Sequence, residues 1–345
     1  MLLFFGEKMP LYPRSSKRDR TKSAFKRRKF SRSWKRKFQN YTGEHKNGFQ
    51  IAWLLQGAIT SQVLPWVAFY SGYSFLIVLL AQRLELTSSF DVGGGIAHIV
   101  LSINLLLSFL LIFRTNAAHD RYWEGRKLWG SLVNTTRNLA RGISITIDRE
   151  SSPIDSPIKE ENMKLIDAFC VAMKIHLRQE EFVEEELMIL MSNSRYRQLY
   201  KSGHPPLKIV FWLGEYLQEQ YLLNRINLYQ LNTLHKLLDD LVDILGGCER
   251  ILKTPTPIVY SLFLKQLLVI YCLILPIELA VHFNFWTILI MALFSLILFG
   301  IEEIGSELEN PFGRDPNDLP LDFICNTISG NIQELIKSNQ ARLTD

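Results

Sequence analysis

The chain has 345 residues, 48% of them hydrophobic, with 39 Lys or Arg against 34 Asp or Glu and a formal net charge of +5. That length allows one large or two ordinary domains. A mean hydropathy near zero reads as soluble only if apolar residues are dispersed; here they are gathered into long runs almost free of charge, which argues against a soluble helical protein.

Residues 1–47 hold 15 Lys or Arg and three acids, a balance of +12 that leaves −7 for the rest of the chain. KRDRTKSAFKRRKFSRSWKRKF (Lys17 to Phe38) has aromatics among the bases. Such a segment suits a juxtamembrane arm drawn to anionic lipid, an organelle transit segment or a nucleic-acid contact. The apolar body favours lipid and not nucleic acid. Residues 1–47 are therefore expected to be a disordered basic arm on the cytoplasmic side of a membrane.

Phe49 to Gln82 is 34 residues without Asp, Glu, Lys or Arg. As one helix it would reach about 51 Å, too long for one perpendicular span. Gln50, Gln56, Ser61, Gln62 and Pro65 weaken its first half. An interfacial helix over 50–62 and a first span over about 64–82 are expected. Arg83 to Asp91 reads as a polar loop, and Gly93-Gly94-Gly95 loosens the entry to a second uncharged run that ends at Phe113. The second span is placed at about 96–113.

Charge begins at Arg114, but helical periodicity does not stop there. Ala118, Tyr122, Gly125, Trp129 and Leu132 are spaced 4, 3, 4, 3, the apolar face of a continuing helix. Residues 114–253 read as charged, amphipathic and mostly helical, with helices predicted over Arg178 to Leu190 and Gln230 to Leu245. Ser151-Ser152-Pro153 and His204-Pro205-Pro206 mark breaks. TPTP (Thr254 to Pro257) opens a third span at about 258–281. His282 to Asn284 is a tight turn, and a fourth span covers about 285–301. The fold class is all-α: an integral membrane protein with four spans, a single domain over 48–345, and a cytoplasmic helical part over 114–253 and 302–345. Both termini then lie on the same side.

The four cysteines show no CxxC or metal-like spacing and read as reduced packing residues. No HExxH, G-x-G-x-x-G or phosphate-binding loop is present, so no enzyme activity is expected. Glu302, Glu303, Glu307 and Glu309 are the densest acidic group beside a span. Bundled carboxylates can hold metal pairs, but that design uses Glu-x-x-His on partner helices, which is missing. The structural reading pairs these acids with bases such as Arg114 and Arg121. On the second span, Leu105, Phe109 and Phe113 recur every four residues on one stripe. Such a stripe is either a packing seam or, presented to an axis by several subunits, a hydrophobic constriction that gates by dewetting.

The segments FRTNAAHDRYWEGRKLWG (Phe113 to Gly130), TPTPIVYSLFLKQLLVIYCLILPIEL (Thr254 to Leu279) and GIEEIGSELENPFGRDPNDLPLD (Gly300 to Asp322) resemble the bestrophin family of ion channels, in its prokaryotic and plastid branch. QGAITSQVLPWV (Gln56 to Val67) extends the resemblance, which spans roughly 45–340. It implies a homopentamer around one central pore passing chloride or other small anions, with bicarbonate or nitrate as further candidates. It places the neck of that pore on Leu105, Phe109 and Phe113. A second, cytosolic aperture falls on Thr256, ahead of Pro257 and Tyr260, and a threonine there makes it wetter than an apolar residue would. Animal members bind calcium through N-P-F-G and a following acidic run. Here Asn310, Asp315 and Asp318 match such a clasp, but Arg314, Pro316 and Asn317 interrupt it, so calcium is not expected as a cofactor. Some bacterial relatives pass sodium, which keeps a cation pore and a non-conducting scaffold open as alternatives. The resemblance implies a bacterial inner membrane or a thylakoid membrane.

Overall fold

The computed structural model describes residues 59–83, 95–147, 155–180, 184–315 and 317–344, and among them every regular element is an α-helix. The helices are α1 (Ile59–Arg83), α2 (Gly95–Thr146), α3 (Asp155–Leu177), α4 (Glu184–Met188), α5 (Asn193–Tyr200), α6 (Pro205–Leu222), α7 (Leu228–Lys253), α8 (Ile258–Phe283), α9 (Trp286–Glu309) and α10 (Leu321–Thr344). Four of them hold stretches long and apolar enough to cross a membrane: Gln62–Arg83, His98–Thr146, Ile258–Phe283 and Trp286–Glu309. These are the four spans expected from the sequence. The basic arm of residues 1–47, residues 50–58 of the expected interfacial helix, the loop before the second span and the Ser151-Ser152-Pro153 break lie outside the described residues.

Three elements depart from expectation. Residues 59–62 belong to the same helix as the first span, with Pro65 inside it. The fourth span does not stop at 301 but runs on through its glutamates to Glu309. Nothing in GIEEIGSELE breaks a helix. The break comes at Asn310, which is extended ahead of Pro311, as the residue before a proline prefers. Of the helix predicted over Arg178 to Leu190, the described residues show the five of α4 as helical. α3 ends instead in a left-handed turn at Gln179 (φ 52°), closed by Glu180 N–H donating to Ile175 O at 3.1 Å. Long-range ion pairs hold this turn on both sides: Arg178 with Asp322 at 3.0 Å and Glu180 with Arg314 at 2.5 Å. Local periodicity is overridden by these partners.

α2 organises the molecule. Its 52 residues span about 78 Å at 1.5 Å per residue. The buried positions Leu107, Leu111, Arg114 and Ala118, and then Gly125, Trp129, Leu132, Thr136, Leu139 and Ile143, follow three- and four-residue steps within each run, with seven residues between the runs. One stripe therefore serves two cores. In the membrane layer Leu107 and Leu111 join Tyr70 of α1, Leu264 and Leu268 of α8, and Met291 and Phe299 of α9. Trp66 and Tyr70 stack on Phe299 at 5.3 and 5.6 Å. Beyond Arg114 the same helix enters a second core with α3, α6, α7 and α10.

Close approach in that second core needs glycine. A Cβ on Gly142 would sit 2.7 Å from Leu234 Cδ2, so the end of the Leu234 side chain from α7 lies directly against the α2 backbone there. α7 starts with a reciprocal capping box between Asn227 and Gln230. The four cysteines are free and buried, as expected of packing residues.

Candidate functional site

Leu105, Phe109 and Phe113 are 61%, 52% and 64% exposed on α2, whereas Leu107 and Leu111 on the opposite face are buried. Among the described residues no helix packs over the stripe, so it is not a seam within this chain. The hydroxyls beside it are consumed locally. Ser102 donates to His98 O and Ser108 to Asn104 O, each at 2.8 Å, the i−4 back-bond of helical serines. The stripe thus offers hydrocarbon and ring edges, not coordinating oxygens. Tyr260, near the start of α8, donates its hydroxyl to Leu110 O at 2.9 Å and ties α8 to the stretch of α2 that carries the phenylalanines.

At the end of the apolar layer, Arg114 Nη1 lies 2.9 Å from Glu302 Oε1, with the two side chains only 4% and 5% exposed. Lys265 Nζ approaches the same oxygen at 3.5 Å from a half-exposed position. Arg114 and Glu302 are therefore paired, as the sequence suggested. The contact is Coulombic rather than a directed hydrogen bond, since Arg114 Nη1 and Glu302 Oε1 have no aligned hydrogen-bond partner.

Arg121 and Glu303 behave differently from the ion-pair expectation. Arg121 donates to Ile251 O at 2.6 Å, Thr254 O at 2.5 Å and Glu309 O at 3.1 Å. One guanidinium thus satisfies carbonyls at the C-terminal ends of both α7 and α9, where unpaired acceptors and the negative helix end favour a cation. Among the described residues Glu303 makes no ion pair.

Thr256, the aperture candidate, lies just beyond α7. Its backbone N–H donates to Glu309 Oε1 at 2.9 Å, and its hydroxyl donates to the same oxygen. Glu309 is thus a member of this site that the sequence did not join to Thr256. The two are 53 residues apart, and only the extension of α9 past residue 301 brings them together.

The loop after α9 is built around Phe312 and Asp318, both buried. Phe312 lies against Gly125 of α2, where a Cβ would come within 3.2 Å of the ring. Asp318 Oδ2 accepts from the backbone N–H of Asp315 at 2.5 Å, and Asp318 N–H donates back to Asp315 O at 3.1 Å. Arg314 turns away to Glu180, and Asn310 and Asp315 are exposed. Burial pushes the Asp318 carboxyl up to about 7, opposed by the Asp315 N–H and reinforced by Asp315 and Glu307. A folded-state value above the ordinary 3.8 means that the folded chain holds this proton more tightly. Stability should therefore decline as pH rises from about 4 towards 7. Asp318→Asn is expected to flatten that part of the unfolding profile, measured as midpoint against pH in detergent.

The chain matches the bacterial/fungal bestrophin protein family over residues 40–334. It is 48% identical over 290 residues to a voltage-dependent anion channel-forming protein of Nostoc sp., covering 84% of this chain and 92% of that one. It is 47% identical over 280 residues to a protein of the same description from Synechocystis sp., covering 81% and 87%. Among solved structures, a variant of a bacterial bestrophin homologue from Klebsiella pneumoniae superposes with a TM-score of 0.73 at 24% identity, covering 81% of this chain and 99% of that one. That likeness extends to the fold.

Proposed function

This chain belongs to the bacterial and fungal bestrophin family, and from that premise we propose that it is a homopentameric channel passing chloride and similar small anions passively. The neck is the ring of Leu105, Phe109 and Phe113. The observation that carries this reading is the stripe itself: three large apolar side chains, unpacked within the protomer, on a helix that continues unbroken out of the membrane layer. A hydrophobic ring gates by dewetting, and the positive edges of phenyl rings tolerate a weakly hydrated anion. The names of the Nostoc and Synechocystis relatives support the anion. The arrangement fits a bacterial inner membrane or a thylakoid membrane with both termini cytoplasmic or stromal, the arm of residues 1–47 resting on anionic lipid.

The test is a planar-bilayer recording under a KCl gradient. The reversal potential is expected near chloride equilibrium, and a value near potassium equilibrium overturns the anion reading. The carboxylate of Glu309 on Thr256 favours the second reading, a cation channel, because five such groups around an axis would repel anions. Glu309→Gln distinguishes the two. It leaves the reversal potential in place if the neck selects, and moves it from potassium towards chloride equilibrium if the aperture carboxylate does.

Calcium is not required in this reading. The Asp318 carboxyl already accepts a backbone N–H and is buried, a poor start for a site needing six to eight oxygens. Currents should be unchanged when a calcium chelator replaces millimolar calcium.

A further inference from the structure

Away from the spans, three helices bring two imidazoles and one carboxylate together. His176 is in the last turn of α3, His204 is the N-cap of α6, and Glu249 is on α7. Both Nε2 atoms face the same oxygen, Glu249 Oε1, at 2.6 Å from His176 and 2.8 Å from His204. The two rings lie 4.8 Å apart, tilted by 36°. All three potential ligand atoms fall within 4.8 Å of one another. Nothing in the proposed conduction path uses them.

We propose that His176, His204 and Glu249 form a site for one dication of the zinc class, bound through both Nε2 atoms and Glu249 Oε1 with water completing the shell. Two imidazoles and a carboxylate are a donor set that borderline transition metals accept and calcium does not. A tetrahedral ion with bonds of about 2.0–2.1 Å spaces its ligands about 3.3 Å apart. A small withdrawal of the flexible Glu249 side chain from its present hydrogen bonds would open that space. Oε1 of the Glu249 carboxylate lies between the two imidazoles, and its other oxygen, Oε2, is paired with Lys253. Lys253 is the one nearby fixed cation among the described residues in contact with it. It binds only the other oxygen, Oε2, at 2.9 Å and is largely exposed, free to swing away.

Loading the ion requires the His204 proton on Nδ1, where that atom now accepts the Leu207 backbone N–H at 3.4 Å. The bond is long and on the exposed first turn of α6, so Leu207 N–H passes to water at little cost. The ion would then staple α3, α6 and α7, each of which packs into the extramembrane core.

The experiment uses the full untagged chain in detergent, stripped with chelator and titrated with Co²⁺ as a spectroscopic probe. One Co²⁺ per chain is expected, with the visible absorption of a four-coordinate ion, displaced by Zn²⁺ but not by millimolar Ca²⁺. His176→Gln and His204→Gln, made separately and checked for unchanged elution, should each weaken binding more than about 100-fold, beyond the 10- to 100-fold loss typical of an outer-shell partner. His119→Gln, an exposed histidine outside the cluster, should bind as the parent does. Zn²⁺ should also raise the unfolding midpoint of the parent chain, a readout independent of any variant. Absence of the cobalt band, displacement by Ca²⁺, or equal uptake by the parent and the His176→Gln/His204→Gln double variant overturns the proposal.

Discussion

Replacing Phe109 and Phe113 together by alanine is expected to raise open probability, or leak at zero voltage, at least about tenfold in single-channel recordings. Tenfold corresponds to about 1.4 kcal/mol. Each phenyl presents about 150–250 Å² of apolar surface, and a ring of subunits would remove it in several copies at two levels of the neck. Loss of that surface widens the constriction and lets water persist in it, which abolishes a dewetting barrier. Folding should not suffer. Both residues are more than half exposed within the protomer, so truncation leaves no internal cavity. Leu107→Ala is the contrast. It lies on the buried face of the same helix, and its truncation is expected to cost about 2–5 kcal/mol and lower the yield of folded protein. Unchanged current from the double alanine variant, with intact assembly, would return the stripe to lipid contact.

The difference between those two faces shows how far the sequence could be read. Three charge-free runs and a fourth with only Lys265 and Glu278 are enough to place four membrane-crossing helices, because the bilayer imposes a length and a composition on each. The face of α2 carrying Ala118, Trp129 and Leu132 follows from 3–4 spacing alone, and the helix does bury it. Pairing across the chain is harder. That the acids after the fourth span pair with the bases after the second could be read, because both groups sit at the abrupt edge of an apolar run, but the choice of Glu302 for Arg114 comes from the structure. Arg121 could not be assigned, since its acceptors are backbone carbonyls at the ends of two other helices, and carbonyls leave no mark in a sequence. Glu309 escaped pairing with Thr256 for a related reason. The apolar signal of α9 stops at residue 301, whereas the helix itself stops only at a proline-enforced break. Similarly, Arg178 and Glu180 read as parts of an amphipathic helix, but their partners on and before α10 hold them in a turn. His176, His204 and Glu249 are scattered in the chain, and only the packing of α3, α6 and α7 makes them a cluster.

Glu302→Ala is expected to destabilise the protein by about 3–5 kcal/mol, since removing one member of a buried pair strands the other charge away from water. Arg114 has few alternatives. Its stem lies against Gly305 on α9, and its Nε also lacks a hydrogen-bond partner. Lys265 loses an oxygen contact too, but it is half-exposed and can carry its ammonium to water. Because such proteins usually unfold irreversibly, the useful measurement is the fraction of assembled protein surviving a heating series. The double variant Arg114→Met/Glu302→Met sharpens the test. Two apolar side chains of similar length replace a desolvated pair at little net cost, so the double variant should recover most of what Glu302→Ala loses. That non-additivity is the signature of direct coupling. If Glu302→Ala survives heating as well as the parent, Arg114 must be solvated, and the boundary between the two cores is wet. If the double variant recovers stability but conducts abnormally, the pair instead sets how α2 and α9 cross that boundary. Those are the two helices that run unbroken from the membrane core into the layer beyond it, so an error in their register there would reach the neck and Thr256 together.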